Sequence, residues 1–147
     1  MRKKIFIGAD HAGFVLKEQL KTFLFSQGYE VIDCGSLEKD TRVDYPDFAQ
    51  MVCHKVLAEN ARGVLICGSG IGMSIAANRH KGIRAALCWN PEVAKLSRQQ
   101  NDANILALGA RVISSSVALS CLEVFLKTPF EGGRHQCRIQ KMDTDSQ

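Results

Sequence analysis

Residues 67–72 read CGSGIG, a cysteine followed by glycine at every second position. Two kinds of chemistry fit that pairing. The amides of Gly68, Ser69, Gly70, Ile71 and Gly72, set just ahead of a helix, can cradle an anion or an oxyanion forming on a carbonyl. Beside them, a thiol facing a helix N-terminus is biased toward the thiolate and can exchange a proton. The blander alternative is a tight turn with an inert strand-end cysteine, the commoner fate of a glycine-flanked cysteine taken alone. Three familiar phosphate loops are excluded by single residues. The dinucleotide fingerprint G-x-G-x-x-G needs glycine where Met73 stands, and the Gly-Lys-Ser/Thr ending of a P-loop is missing. A cysteine-phosphatase loop, C-x5-R, would also place its arginine at Met73.

Other polar groups gather at similar punctuation points. Asp10 and His11 follow an apolar run directly, where they could face a ligand or only cap the next helix. RQQNDAN (98–104) precedes another apolar run and, alone, is an ordinary helix end. In GGRHQCR, Arg134 and Arg138 are four apart and share one helical face. Two guanidinium forks at that spacing suit a phosphate dianion, although a solvated basic face reads the same way. Arg111 could add a third cation. His54 and His80 read as surface or packing residues. No Cys, His, Asp or Glu set has metal-ligand spacing, so neither a metal nor another cofactor is expected.

The elements that must position these groups alternate. Strand patterns fall at 4–8, 29–35, 63–68, 83–89 and 104–110, and helical patterns at 14–28, 45–60, 72–80, 90–100 and 114–128. The tail carries one more helical segment. Alternation over short connections predicts an α/β fold of three layers, with five parallel strands between helices, in one domain spanning 1–147. In such open sheets ligands sit beyond the carboxyl ends of the strands, where strand order reverses. GADHAG (8–13) and CGSGIG both fall at strand ends. If the first and third strands are neighbours, both motifs line one crevice.

Composition sets the outer limits. The chain has 147 residues, 46% apolar and 23% charged, which suits one soluble domain with a substantial core. A net charge of +4 fits an anionic small molecule and is too weak to argue for nucleic acid. No apolar run reaches membrane-spanning length, and the apolar part of MRKKIFIGAD is too short for a signal peptide. A cytoplasmic protein is expected. Its six cysteines lack both a secretory context and zinc spacing, so five of them read as buried reduced thiols.

Taken together, GADHAGFVLK, DYPDFA, ICGSGIGMSIAANR, LSRQQNDANILALGAR and FEGGRHQCR resemble, in order and spacing, the type B ribose-5-phosphate isomerases. That family also includes subunits of galactose-6-phosphate isomerase, and the resemblance runs from about residue 3 to about residue 140. It implies a Rossmann-like fold and a metal-independent aldose–ketose isomerase of pentose phosphate metabolism. It further implies a homodimer or homotetramer whose active sites each draw on two subunits, acting on a sugar phosphate with no nucleic acid or membrane partner.

By that resemblance Cys67 is the catalytic base. A second branch of the family uses a glutamate at the position of Met73, so this chain falls in the cysteine branch. Asp10 and His11 match sugar contacts, Gly68 to Gly72 the enediolate loop, and Asn101 a substrate-binding asparagine. Arg111, Arg134 and Arg138 match phosphate-binding arginines, so the tail from about residue 129 completes the phosphate site. In the implied mechanism Ser69 supports the enediolate oxygen and Asp10 handles hydroxyl protons. Gln100 stands where the family usually has a ring-opening histidine, and an amide cannot exchange a proton near neutrality. That leaves other aldose phosphates open as substrates: erythrose 4-phosphate, allose 6-phosphate or galactose 6-phosphate. A non-catalytic phosphate- or nucleotide-binding module is the rival from another class.

Overall fold

The protein is described by a computed structural model covering residues 2–144. Five apolar runs too short for a helix, each bounded by glycine or polar residues, become parallel strands. These are β1 (Lys4–Ala9), β2 (Glu30–Asp33), β3 (Arg62–Cys67), β4 (Ala85–Leu87) and β5 (Ile105–Gly109). The connecting helices are α1 (Phe14–Ser26), α2 (Tyr45–Glu59), α3 (Ile71–Ala77), α4 (Pro91–Gln99) and α5 (Ser115–Lys127), and α6 (Arg134–Met142) follows in the tail. Local chemistry explains the helix starts. Asn90 Oδ1 accepts the Val93 N–H at 2.9 Å ahead of Pro91, and Ser114 Oγ accepts that of Val117 at 3.2 Å.

Strand order is β2-β1-β3-β5-β4, all parallel, so β1 and β3 are neighbours as the crevice requires. Successive side chains alternate between the two faces of the sheet. Ile5, Ile7, Val64, Ile66, Leu106 and Leu108 pack against α1, α4 and α5, including Leu16, Leu20, Ala94, Leu122 and Phe125. Phe6, Leu65 and Cys67 face α2 and α3, against Val52, Cys53, Val56, Met73 and Ala77. Burial on both faces is why the central strands read as unbroken apolar runs.

Most of the expected elements are trimmed at their ends. β2 stops at Asp33, where the carboxylate is held by the buried Lys17 at 2.5 Å and by Lys21 at 2.8 Å. β4 is an edge strand pairing only with β5, and three residues suffice for that ladder. α3 ends at Ala77, with Asn78 at its C-cap. The cysteine expectation also needs correction. Cys53, Cys67, Cys88 and Cys121 are buried, but Cys34 is half-buried and Cys137 is exposed. Cys137 lies on a face of α6 away from its buried residues, His135 and Ile139. Among the described residues no helix is long and apolar enough to cross a membrane.

Candidate active site

Because β1, β3 and β5 are adjacent and parallel, the segments leaving their carboxyl ends meet at one rim. They form a cleft of about 610 Å³ whose polar lining is Asp10, Tyr45, Cys67, Ser69 and Arg111, with backbone from Gly68 and Gly72. Ile71, Ile75 and Val112 supply apolar walls.

Cys67 ends β3, and its side chain is 4% exposed. Gly70 N–H donates to its sulfur at 3.2 Å, a bond that strengthens when the sulfur is ionised. The turn that makes this contact needs glycine. Gly70 has φ +81°, and a Cβ there would lie 2.5 Å from Leu87 Cδ1 and 2.9 Å from the Leu108 carbonyl carbon. Ser69 Oγ accepts the Ile71 N–H at 3.2 Å, which leaves its own hydrogen available to a ligand. Two of the loop amides are therefore used internally, one on the sulfur and one on the serine.

Asp10 caps a turn and also lies at the cleft. Its Oδ1 accepts the Gly13 N–H at 3.1 Å, capping a short 3-10 turn, and the carboxylate also borders the cleft. His11 lies just behind, where its Nδ1 accepts the Val43 N–H at 3.3 Å. That bond fixes Nδ1 as the acceptor and leaves Nε2 to carry the hydrogen of the neutral ring. Arg111 follows β5 and returns over the loop. Its backbone N–H donates to the Gly68 carbonyl, and its Nη1 lies 3.3 Å from where a Cβ on Gly68 would be.

Four other thiols are held in their protonated form. Burial pushes Cys53 and Cys88 up to about 12 and Cys121 up to about 11, and it also raises Cys34. They stay protonated at neutral pH.

His11 and Gly70 stand beside this cleft without lining it, and four other sequence-derived candidates lie at the far end of the sheet. Gln100 and Asn101 lie between α4 and β5, at the amino end of the sheet. β5 runs from Ile105 beside Gly63 to Gly109 beside Cys67. Those four steps alone separate the two levels by roughly 13 Å. The tail is anchored at the same amino-end rim. Glu131 N–H donates to the Gln99 carbonyl at 3.0 Å, and Gly82 N–H to Asp143 Oδ1 at 3.0 Å. Buried Arg98 reinforces this by donating to the carbonyls of Thr128 and Ala103. Asn101, Arg84, Met142 and Asp143 share a cavity of about 400 Å³. Arg134 and Arg138 stand exposed on α6 above this rim. The chain thus carries two groups of candidates, at opposite ends of its strands. A larger hollow of about 640 Å³, near Lys4, Glu30 and Arg62, has no thiol in its lining, and Lys4 is paired there with Glu59 at 2.6 Å.

One polar residue of the cleft was missed from sequence, along with the apolar walls Ile75 and Val112. Tyr45 opens α2, and its ring rests on Gly72. The available signal was DYPDFA, a tyrosine at a helix start ahead of Pro46, but nothing in it tells which strand end the ring meets.

Comparison with known proteins came out uniformly. The model of the family described as Ribose/Galactose Isomerase matches residues 5–142. Ribose-5-phosphate isomerase B of Escherichia coli is 47% identical over 139 residues, covering 94% of this chain and 93% of that protein. The crystal structure of a ribose 5-phosphate isomerase from Thermotoga maritima superposes with TM-score 0.94 at 50% identity, covering 97% of this chain and 99% of that one. A ribose-5-phosphate isomerase B from Mycoplasma genitalium with bound ribulose-5-phosphate gives 0.92 at 42% identity, covering 97% and 95%.

Proposed function

The chain belongs to the ribose/galactose isomerase family, and from that membership we propose that it interconverts ribose 5-phosphate and ribulose 5-phosphate through an enediolate, with Cys67 as general base. The observation that carries the role of Cys67 is its sulfur, which accepts the Gly70 N–H at 3.2 Å in a cleft shared with Asp10 and Arg111.

The chemistry runs on the open-chain aldose. The Cys67 thiolate removes the proton from C2, the C2 electron pair forms the C1–C2 double bond, and the carbonyl electrons move onto O1. The Ser69 hydroxyl and loop amides stabilise that oxygen as charge develops. Cys67 then returns its proton to C1, while O2 loses its proton and becomes the ketone oxygen. Asp10 carries the hydroxyl protons between O2 and O1. Arg111 holds the phosphate end, so remote binding fixes the reacting carbons at the sulfur.

The second group of candidates enters from another copy of the chain. Asn101, Gln100, Arg134 and Arg138 occupy the opposite end of the strands, so no single chain can bring them to its own Cys67. A homodimer or homotetramer that sets the amino-end rim of one subunit against the carboxyl-end rim of another completes both the phosphate clamp and the contacts of Asn101. Each site then draws on two subunits.

Gln100 favours a second reading of the substrate. Its amide cannot open a sugar ring by proton exchange. Ring opening then falls to His11 or to spontaneous opening, or is unnecessary because the substrate is acyclic. A tetrose 4-phosphate lacks the free hydroxyl for a furanose and needs no such group.

One experiment covers these claims: turnover of ribose 5-phosphate and erythrose 4-phosphate by wild type and Cys67→Ala, in deuterated water and stopped at partial conversion. The isomerase reading expects deuterium at the transferred position and collapse of turnover in Cys67→Ala with sugar phosphate still bound. No deuterium uptake together with an active Cys67→Ala variant overturns the role of Cys67. Ribose turnover equal to or above that of erythrose 4-phosphate, without a lag, removes the acyclic-substrate reading.

A further inference from the structure

We propose that Tyr45 closes the carbonyl end of the cleft, its ring lying over the glycine loop and its hydroxyl donating to the oxygen on C1 of the substrate. This rests on the isomerase reading above.

The placement comes from the packing of Gly72. A Cβ on that residue would stand 2.6 Å from Tyr45 Cζ, 2.7 Å from Cε1 and 3.0 Å from Cε2. These are the carbons at the hydroxyl end of the ring, so the tip of the phenol rests on the loop. Any side chain at position 72 would occupy the same space. The residue is nevertheless 39% exposed and borders the cleft together with Asp10 and Cys67. Among the described residues, no protein hydrogen bond takes up its hydroxyl.

The support beneath Tyr45 is firm. It is the first residue of α2, a helix held to the sheet by the buried Ala49, Val52, Cys53 and Val56. The segment entering α2 is tied to the rim by the bond from Val43 N–H to His11. The backbone that carries the ring is therefore in place before any ligand binds, although the partly exposed ring itself can still turn.

The opposite side of the loop fixes the direction of the substrate. Arg111 lies over Gly68, four residues before Gly72, and the Cys67–Gly70 contact sits between them. A sugar phosphate is asymmetric, with a dianion at one end and a carbonyl at the other. The cation takes the phosphate end, so the carbonyl end extends past the sulfur to the phenol. A phenol is a neutral donor at neutral pH, suited to an oxygen whose negative charge grows only as the enediolate forms. Its effect therefore falls on kcat more than on KM.

The test compares Tyr45→Phe with wild type in three measurements: steady-state kinetics on ribose 5-phosphate, inhibition by a phosphorylated four-carbon hydroxamate that mimics the planar enediolate, and inhibition by inorganic phosphate. The expected result is a kcat lowered about tenfold or more, KM within about twofold, and hydroxamate inhibition weakened by a similar factor. Phosphate inhibition and the melting temperature stay at wild-type values. Tyr45→Leu, which also removes the ring, should lose further activity with the same phosphate inhibition. Unchanged kcat and hydroxamate inhibition in Tyr45→Phe overturns the proposal, as does an equal weakening of hydroxamate and phosphate. If wild type itself fails to isomerise ribose 5-phosphate, the underlying reading falls. If wild type turns over and Tyr45→Phe matches it, only the role of Tyr45 falls.

Discussion

Sharing of each site between two chains can be tested by mixing two inactive proteins. Cys67→Ala removes the proposed base at the carboxyl-end rim and leaves Arg134 and Arg138 intact. The double variant Arg134→Ala/Arg138→Ala removes the cations at the amino-end rim and leaves Cys67 intact. Neither rim reaches the other within a chain, because β5 alone separates them by roughly 13 Å. Each protein by itself should therefore be nearly inactive. After unfolding and refolding together in equal amounts, each site draws its cysteine and its arginines from different subunits at random. Half the cysteine donors and half the arginine donors are intact, so about one quarter of the sites are whole, whether the assembly is a dimer or a tetramer. The assay is turnover of the mixture, with refolded wild type as the reference. Recovery near one quarter, from parents each contributing almost nothing, is the expected outcome. If the mixture is no more active than the parents while hybrids are detected by mass, each chain supplies its own complete site and the rim argument is wrong.

Two further predictions follow from particular contacts. Gly72→Ala should push the Tyr45 ring off the loop, because the new Cβ would lie 2.6 Å from Cζ. The ring is partly exposed and can swing away, so a stability loss of under ~1 kcal/mol is expected alongside a clear fall in kcat, read by thermal melting and kinetics. The second concerns acid. Burial works to raise the Asp33 carboxyl, but bonds from Lys17, Lys21 and the Gly35 N–H outweigh it and hold the group below its ordinary value. A depressed carboxylate stabilises the fold above its unfolded value of ~3.9, and that stability is lost as pH falls through the lower folded value. Asp33→Asn should thus cost up to about 3 kcal/mol at pH 7, since it leaves the fully buried Lys17 with only the half-exposed Glu18 at 3.3 Å as partner. The gap to wild type should narrow toward pH 3 in urea titrations, and a gap independent of pH would show that the pair is not the cause.

The sequence was most informative where chemistry sits next to a change of secondary structure. Cys67 is the last residue of its strand, and Asp10 and Arg111 follow theirs within two residues, so alternation alone assigns them to the carboxyl-end rim, and adjacency of β1, β3 and β5 brings them together. Tyr45 escaped because its contact with Gly72 crosses 27 positions and depends on how α2 docks across β1 and β3. Periodicity reports which face of a helix is apolar, not where its first residue lands. Cys137 was misread for a different reason. His135 and Ile139 are the buried positions of α6, and Cys137, two residues from each, falls on the opposite, solvated face, so the residue type suggested burial where the helical spacing did not. The separation of the two rims, by contrast, was already implicit in the alternation. In a parallel sheet every strand runs the same way, so a residue closing a helix just before a strand must lie at the amino end. Asn101 stands four positions before Ile105, and the tail is tied to Gln99, so neither can approach the thiol at the end of β3. A motif before a strand and a motif after one can serve a single substrate only if two copies of the chain meet.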